Sequence, residues 1–287
     1  MKVAQDVAVV IPARYGSTRF PGKPLKMIAG WSMIHRVWCL AKAAPGVTSV
    51  YVATDDDRIA SHVRGFGGEA IMTPPECHDG TERVFRTAEA LARPPAIVVN
   101  LQGDAVLTPP WVIGAMIGAM LSDPSVEIAT PAVRMDRRSY EALRAAKQAG
   151  EVGGTTVAFD RCHNALYFSK SLIPFMRSSV DTGAALPIYR HIGLYAYRFE
   201  TLCRYVALEP GPLERAEKLE QLRALENGIP IRVVEVEYSG RTHWAVDSPE
   251  DLLRVEHIIR EEGELVPSLA QADSTARGPW REVRERS

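Results

Sequence analysis

The segment Val7-Ala8-Val9-Val10-Ile11-Pro12-Ala13 limits the possible folds of this chain more than any other. It is a continuous apolar, β-branched run that stops in a loop rich in Gly, Ser and Pro, the pattern of a strand buried on both faces. A second such run, Ala-Ile-Val-Val-Asn-Leu at 96 to 101, lies farther along. Between them strand and helix patterns alternate: a helix over 32–44, a strand over 49–54, a helix over 57–66, a short strand over 69–72 and a helix over 81–92. This rhythm predicts an α/β fold of Rossmann-like type, a mostly parallel sheet with helices on both faces. Ligands of such sheets bind beyond the carboxyl ends of the strands, so the loops after Ala13, Ala53 and Leu101 are the candidate site.

The second half is less regular. Strand patterns at 126–133, 155–159, 191–197 and 230–236 suggest an inserted subdomain, roughly 125–230, within one domain covering 1–266. Helices are expected over 213–227 and over 249–261, the latter opened by Ser248-Pro249-Glu250-Asp251, a capping-box start with Pro in the first turn. From Pro267 to Ser287 apolar periodicity is lost and a mobile tail is expected.

Thirty-four basic against thirty-five acidic residues give a net charge of -1, which offers no general attraction for nucleic acid or anionic membrane. Anion binding must then be local. Cys39, Cys77, Cys162 and Cys203 are widely spaced, with neither a zinc-type pair nor a small disulfide frame, and read as thiols. No apolar stretch approaches the length of a membrane span and the N-terminus lacks a signal-like core, so a cytoplasmic protein is expected.

The chemistry is concentrated in Arg14-Tyr15-Gly16-Ser17-Thr18-Arg19-Phe20-Pro21-Gly22-Lys23-Pro24-Leu25. Two glycines, two hydroxyls and three cations after a buried strand suit either a polyphosphate cradle or a solvated basic loop; neither the Walker nor the dinucleotide pattern is present. Asp104, after a strand and a Gly, is a hard oxygen ligand suited to Mg²⁺, and Asp247 is either a second such ligand or a helix-cap carboxylate.

This run resembles the start of the 3-deoxy-manno-octulosonate cytidylyltransferases. Further matches follow in order: Ala53-Thr54-Asp55-Asp56, Gly80-Thr81-Glu82-Arg83, Asn100-Leu101-Gln102-Gly103-Asp104, Ala165 to Ser169, Arg190-His191-Ile192-Gly193, Leu219 to Arg223 and Val246 to Leu252. The resemblance implies a homodimeric, Mg²⁺-dependent enzyme that takes CTP and a small acidic acceptor and releases pyrophosphate. It implies catalytic roles for Arg14, Lys23, Asp104 and Asp247, the two aspartates as metal ligands. Ala13, Arg14, Gly16, Ser17, Lys23, Gly80, Thr81, Arg83 and Gln102 would contact the nucleotide. Arg19, Gln102, Lys170, His191, Tyr195, Glu220 and Gln221 would contact the acceptor.

Four positions depart from the family pattern. Ala105-Val106 replace Glu-Pro, Thr156 stands where a Lys is usual, and Lys170 replaces Arg. These changes point to a small phosphono-carboxylate, such as phosphonoformate, in place of the eight-carbon sugar acid. Alternatives are the sugar acid itself, a sugar-nucleotide pyrophosphorylase and a silent nucleotide-binding regulator.

Overall fold

The computed structural model describes residues 5–16, 20–151, 153–177 and 186–270. The first half follows the expected alternation. β1 (Val7–Pro12) is followed by a 3₁₀ turn at Lys23–Leu25, a small hairpin of β2 (Met27–Ile28) and β3 (Trp31–Ser32), and then α1 (Met33–Lys42). Next come β4 (Ser49–Thr54), α2 (Asp57–Gly65), β5 (Glu69–Met72), α3 (Gly80–Ala90) and β6 (Ile97–Asn100). The second half contains α4 (Pro110–Ser122), β7 (Ile128–Arg134), α5 (Arg137–Gln148), β8 (Thr156–Phe159), β9 (Ala165–Ser169), β10 (Tyr189–His191) and β11 (Tyr195–Arg198). It ends with α6 (Phe199–Val206), α7 (Pro212–Glu217), α8 (Leu222–Glu226), β12 (Ile231–Glu235), α9 (Pro249–Glu262) and α10 (Pro267–Ala270).

A 10-stranded sheet forms the centre, in the order β5-β4-β1-β6-β11-β7-β10-β8-β9, with β12 paired to β7. β5, β4, β1 and β6 are mutually parallel, while β11, β10 and β9 run against their neighbours. Successive β1 side chains point to opposite faces. Val7, Val9 and Ile11 enter a core shared with α1, α4 and α9, and Val10 enters a second core with α3, α6 and α8. The buried polar backbone of such a sheet is satisfied only by its ladder, which is why both faces need helical cover.

Three expectations need correction. The strand expected over 191–197 is two strands, broken opposite Pro131 of β7, which has no N–H to donate to the ladder. There the Thr130 hydroxyl instead donates to Leu194 O at 2.8 Å. The helix expected over 213–227 splits into α7 and α8 because Lys218 adopts a left-handed conformation, φ 55°. The break turns Leu219 and Gln221 inward, and Tyr205 Oη caps the Glu220 carbonyl at 2.8 Å. The tail expected from 267 begins with an ordered turn: in α10, Leu269 is buried beside Trp31, Cys39 and Leu40, and Trp31 Nε1 donates to its carbonyl at 3.1 Å. Residues 271–287 lie outside the described residues. Among the described residues no helix is long and apolar enough to cross a membrane.

Candidate active site

The loop after β1 is closed on itself. Ala13 N donates to Ala53 O at 2.8 Å, and Gly22 N donates to Tyr15 O at 2.9 Å, drawing the two ends of the loop together. Gly22 takes φ +68°, and a Cβ there would lie 3.0 Å from the Tyr15 ring, so glycine is needed for both conformation and space. The Arg58 guanidinium lies over the Tyr15 ring, 3.4 Å from its centroid, and is itself held by Asp56 at 2.7 Å. Arg14 and Gly16 are exposed on this loop; the expected contacts Ser17 and Arg19 lie outside the described residues.

The closed loop delivers Lys23 to the ends of β6 and of the segment before α9. Its Nζ lies 2.6 Å from Asp104 Oδ2, 3.7 Å from Asp247 Oδ1 and 3.1 Å from Val246 O. Two carboxylates separated by more than a hundred residues thus meet at one ammonium. Asp104 is held by its own turn, with Val106 N and Val246 N both donating to its carbonyl, at 2.9 and 3.3 Å. Gly103 makes this close approach possible, since a Cβ there would sit 2.8 Å from Pro12 O.

Asp247 is not the cap of α9. Ser248 occupies that position and Asp251 completes the capping box, its Oδ2 accepting from Ser248 N at 2.8 Å and from Asp247 N at 2.9 Å. Asp251 Oδ1 accepts from Trp244 Nε1 at 2.7 Å. Burial pushes the Asp251 carboxyl upward, but the hydrogen bonds from Trp244, Asp247 and Ser248 outweigh it and leave its pKa below the usual carboxylate value. The sequence reading used Asp251 only as a helix start; it also fixes the backbone that carries Asp247.

The two aspartates are a hard-oxygen pair of the kind that Mg²⁺ uses, one or two carboxylates supplemented by substrate phosphates. The donor set therefore fits the metal that the resemblance implies.

Beyond Asp104 a polar chain crosses the sheet. Gln102 Nε2 donates to Asn100 Oδ1 at 3.2 Å, Asn100 Nδ2 to Thr81 Oγ1 at 3.1 Å, and Thr81 Oγ1 to Glu220 Oε1 at 2.8 Å. Asn100, fully buried at the end of an apolar strand, is not among the expected site residues; its signals were a lone amide in that position and its place at the start of the matched segment Asn100 to Asp104. Gly80 lies against Pro12 and Gln102. Arg83 is placed differently from a ligand contact: it is buried, with Nη2 on Asp55 Oδ2 at 2.9 Å and Nη1 on Thr73, so it braces the loop after β4 from behind.

Tyr195 pairs with Asn100 in the sheet, which puts His191 and Tyr195, 5.6 Å apart between ring centroids, beside the same chain. The Thr130 hydroxyl donates its hydrogen to Leu194 O, so at 2.9 Å it must accept from His191 Nε2. Burial, then Lys170 and His243, hold the His191 pKa down at about 3, so the ring is neutral. Lys170 is kept in place through its backbone N–H, which donates to Glu217 Oε2 at 2.8 Å. Gln221 is buried, and its Nε2 has no hydrogen-bond partner among the described residues. A buried amide donor without a partner is costly unless a ligand satisfies it.

Burial, and secondarily Asp79, pushes the Glu220 carboxyl up to about 7. Its folded pKa exceeds the ordinary 4.5, so the folded state binds the extra proton and stability falls as pH rises from about 4.5 to about 7. Glu220→Gln mimics the protonated form. Its stability relative to the parent is expected to improve across that window by up to about 3 kcal/mol, measured by urea unfolding at pH 5 and pH 8. A pH-independent difference would contradict this.

Of the four departures from the family pattern, two face the core. Val106 is buried and Ala105 packs against the same cluster. Thr156 ties the sheet to the loop after β9, its Oγ1 donating to Ser171 O at 2.8 Å and accepting from Ile173 N at 3.1 Å.

Comparison with known proteins gives the family. A family profile described as cytidylyltransferase matches residues 8–234. A 3-deoxy-manno-octulosonate cytidylyltransferase of Maricaulis maris is 57% identical over 261 residues, covering 91% of this chain and 100% of the relative. The Myxococcus xanthus enzyme of the same name is 46% identical over 265 residues, covering 92% and 100%. The solved structure of a CMP:2-keto-3-deoxy-manno-octonic acid synthetase complexed with CTP is 37% identical, with a TM-score of 0.78 over 90% of this chain and 99% of that one. A 4-diphosphocytidyl-2C-methyl-D-erythritol synthase from Anaerococcus prevotii, 11% identical with a TM-score of 0.56 over 90% and 97%, shares the fold. The Lys23-linked carboxylates and the polar chain from Gln102 to Glu220 are therefore the candidate site of a chain that belongs to the 3-deoxy-manno-octulosonate cytidylyltransferase family and is a cytidylyltransferase.

Proposed function

We propose that the protein transfers the cytidylyl group of CTP to 3-deoxy-manno-octulosonate. The observation that supports this reading is the polar, hydroxyl-matching character of the acceptor side: the chain Gln102-Asn100-Thr81-Glu220, the Gln221 amide without a partner among the described residues, and the neutral His191. Such groups suit a polyhydroxylated acid with one carboxylate near Lys170. A small phosphono-carboxylate would leave most of them unmatched and bring its charge toward Glu220. Thr156 and Ala105-Val106, whose departures suggested the phosphono acid, are engaged in holding the fold.

In the reaction the oxygen of an acceptor hydroxyl forms a bond to the α-phosphorus of CTP, the bond to the bridging oxygen of the β-phosphate breaks to release pyrophosphate, and the hydroxyl proton passes to solvent. No protein nucleophile is required, so positioning and charge neutralisation supply the rate. Arg14 and Lys23 hold phosphate oxygens, and the Pro12-Gly80-Gln102 corner borders the nucleoside. Asp104 and Asp247 would hold Mg²⁺, which when bound neutralises charge on the attacking and leaving oxygens.

With CTP saturating, kcat/KM for the sugar acid is expected to exceed that for phosphonoformate by about 100-fold or more, since each unmatched polar group costs about 1–3 kcal/mol. Equal or faster turnover of phosphonoformate would overturn the acceptor assignment. UTP replacing CTP without loss would overturn the nucleotide.

A further inference from the structure

The backbones that carry the two carboxylates at the centre of the site are anchored from behind, whereas the ammonium between them sits at the end of a long side chain. Asp104 is fixed through its carbonyl to Val106 and Val246, and Asp247 through its N–H to Asp251, which Trp244 holds in turn. Arg254 lies over the Trp244 ring at 3.5 Å and completes the brace. Lys23, by contrast, reaches the pair at the end of a flexible four-carbon stem. Its ammonium touches two carboxylate oxygens and the Val246 carbonyl, an all-oxygen set of the kind a divalent cation also uses.

We propose that Lys23 occupies the metal position in the nucleotide-free protein and yields it only when a triphosphate offers the ammonium other anionic oxygens. The divalent ion then binds with or after the nucleotide, and free protein binds it poorly. This rests on the reading of Asp104 and Asp247 as metal ligands. The physical reason is competition for the same oxygens. Two carboxylates that meet at one ammonium repel one another less with that cation in place, and a divalent ion arriving beside the resident ammonium meets like charge at close range. An arriving triphosphate removes the conflict by drawing the lysine tip away while adding its own oxygens to the metal.

The consequence has an unusual sign: removing a cation strengthens metal binding while destroying turnover. Mn²⁺ serves as the probe, titrated by electron paramagnetic resonance into the full-length protein with no nucleotide. Lys23→Met is expected to bind Mn²⁺ about tenfold or more tightly than the parent, while its dependence on added CTP shrinks. Lys23→Gln is a second neutral variant in case the thioether disturbs folding, with circular dichroism as the check on both. Unchanged or weaker Mn²⁺ affinity in both folded variants overturns the exchange. Asp104→Asn and Asp247→Asn, titrated with CTP present, separate the two layers of the argument. Should they bind Mn²⁺ as tightly as the parent, the metal assignment fails and the exchange fails with it. Should they lose affinity while the Lys23 variants match the parent, the assignment stands and the exchange alone is overturned.

Discussion

Asp104→Asn and Asp247→Asn are each expected to lower kcat by about 10²–10³-fold, the effect of losing roughly 3–4 kcal/mol of transition-state charge stabilisation. Each change removes one of the two carboxylates that, among the described residues, meet at Lys23, and a neutral amide is a poorer partner both for that ammonium and for a hard cation. The geometry also separates this effect from a loss of stability. Ser248 and Asp251 form the cap of α9, so Asp247→Asn leaves the helix start intact and should shift the melting temperature little. Rapid-quench or steady-state assays of pyrophosphate release, paired with thermal melts, check both halves. Wild-type turnover with a lowered melting temperature would make Asp247 a structural residue.

Arg36→Met should give the largest loss of stability, about 3–5 kcal/mol, because it breaks a buried ion pair and strands its partner. The Arg36 side chain is 1% exposed; its Nη2 lies 2.5 Å from Glu264 Oε2, and its Nη1 donates to Ile28 O at 3.2 Å. These contacts fasten α1 to the β2–β3 hairpin and to the segment after α9, the two stretches that flank Lys23 and Asp247. Urea unfolding measures the loss. In the double variant with Glu264→Leu, no charge is left stranded and much of the stability should return. If the double variant is as unstable as Arg36→Met, packing of the arginine stem, and not its charge, holds these elements together.

The parallel half of the sheet was legible from pattern alone. Short, β-branched apolar runs ended by turn residues, such as 7–13 and 96–101, suit strands covered on both sides, and the helices between them carry the usual spacing. The antiparallel half was less legible because its breaks depend on partners remote in sequence. At residues 192–194 the one local sign of an interruption is Gly193; its place is set by Pro131 on the neighbouring strand. Lys218 likewise ends a helix whose local pattern runs on, because Tyr205 and the inward-facing Gln221 demand a turn there. α4 and α5 also escaped the pattern, one apolar nearly all round and the other without a buried residue.

By itself the sequence nominated the residues proposed for the chemistry: Arg14 and Lys23 in one glycine-rich loop, Asp104 and Asp247 after apolar segments, and the Ser248-to-Asp251 helix start were all visible as local patterns. Only the tertiary structure decided which of them meet. Lys23 joins Asp104 and Asp247 because the strand ends bring 23, 104 and 247 to one edge, a long-range fact that local spacing does not encode. The same packing separated supports from contacts. Arg83 turned out to brace a loop, Thr81 to belong to the polar chain ending at Glu220, and Val106 to fill the core. Motif positions record which residue types a site needs, whereas burial and hydrogen-bond partners, created only when distant elements pack, set the role that each residue plays.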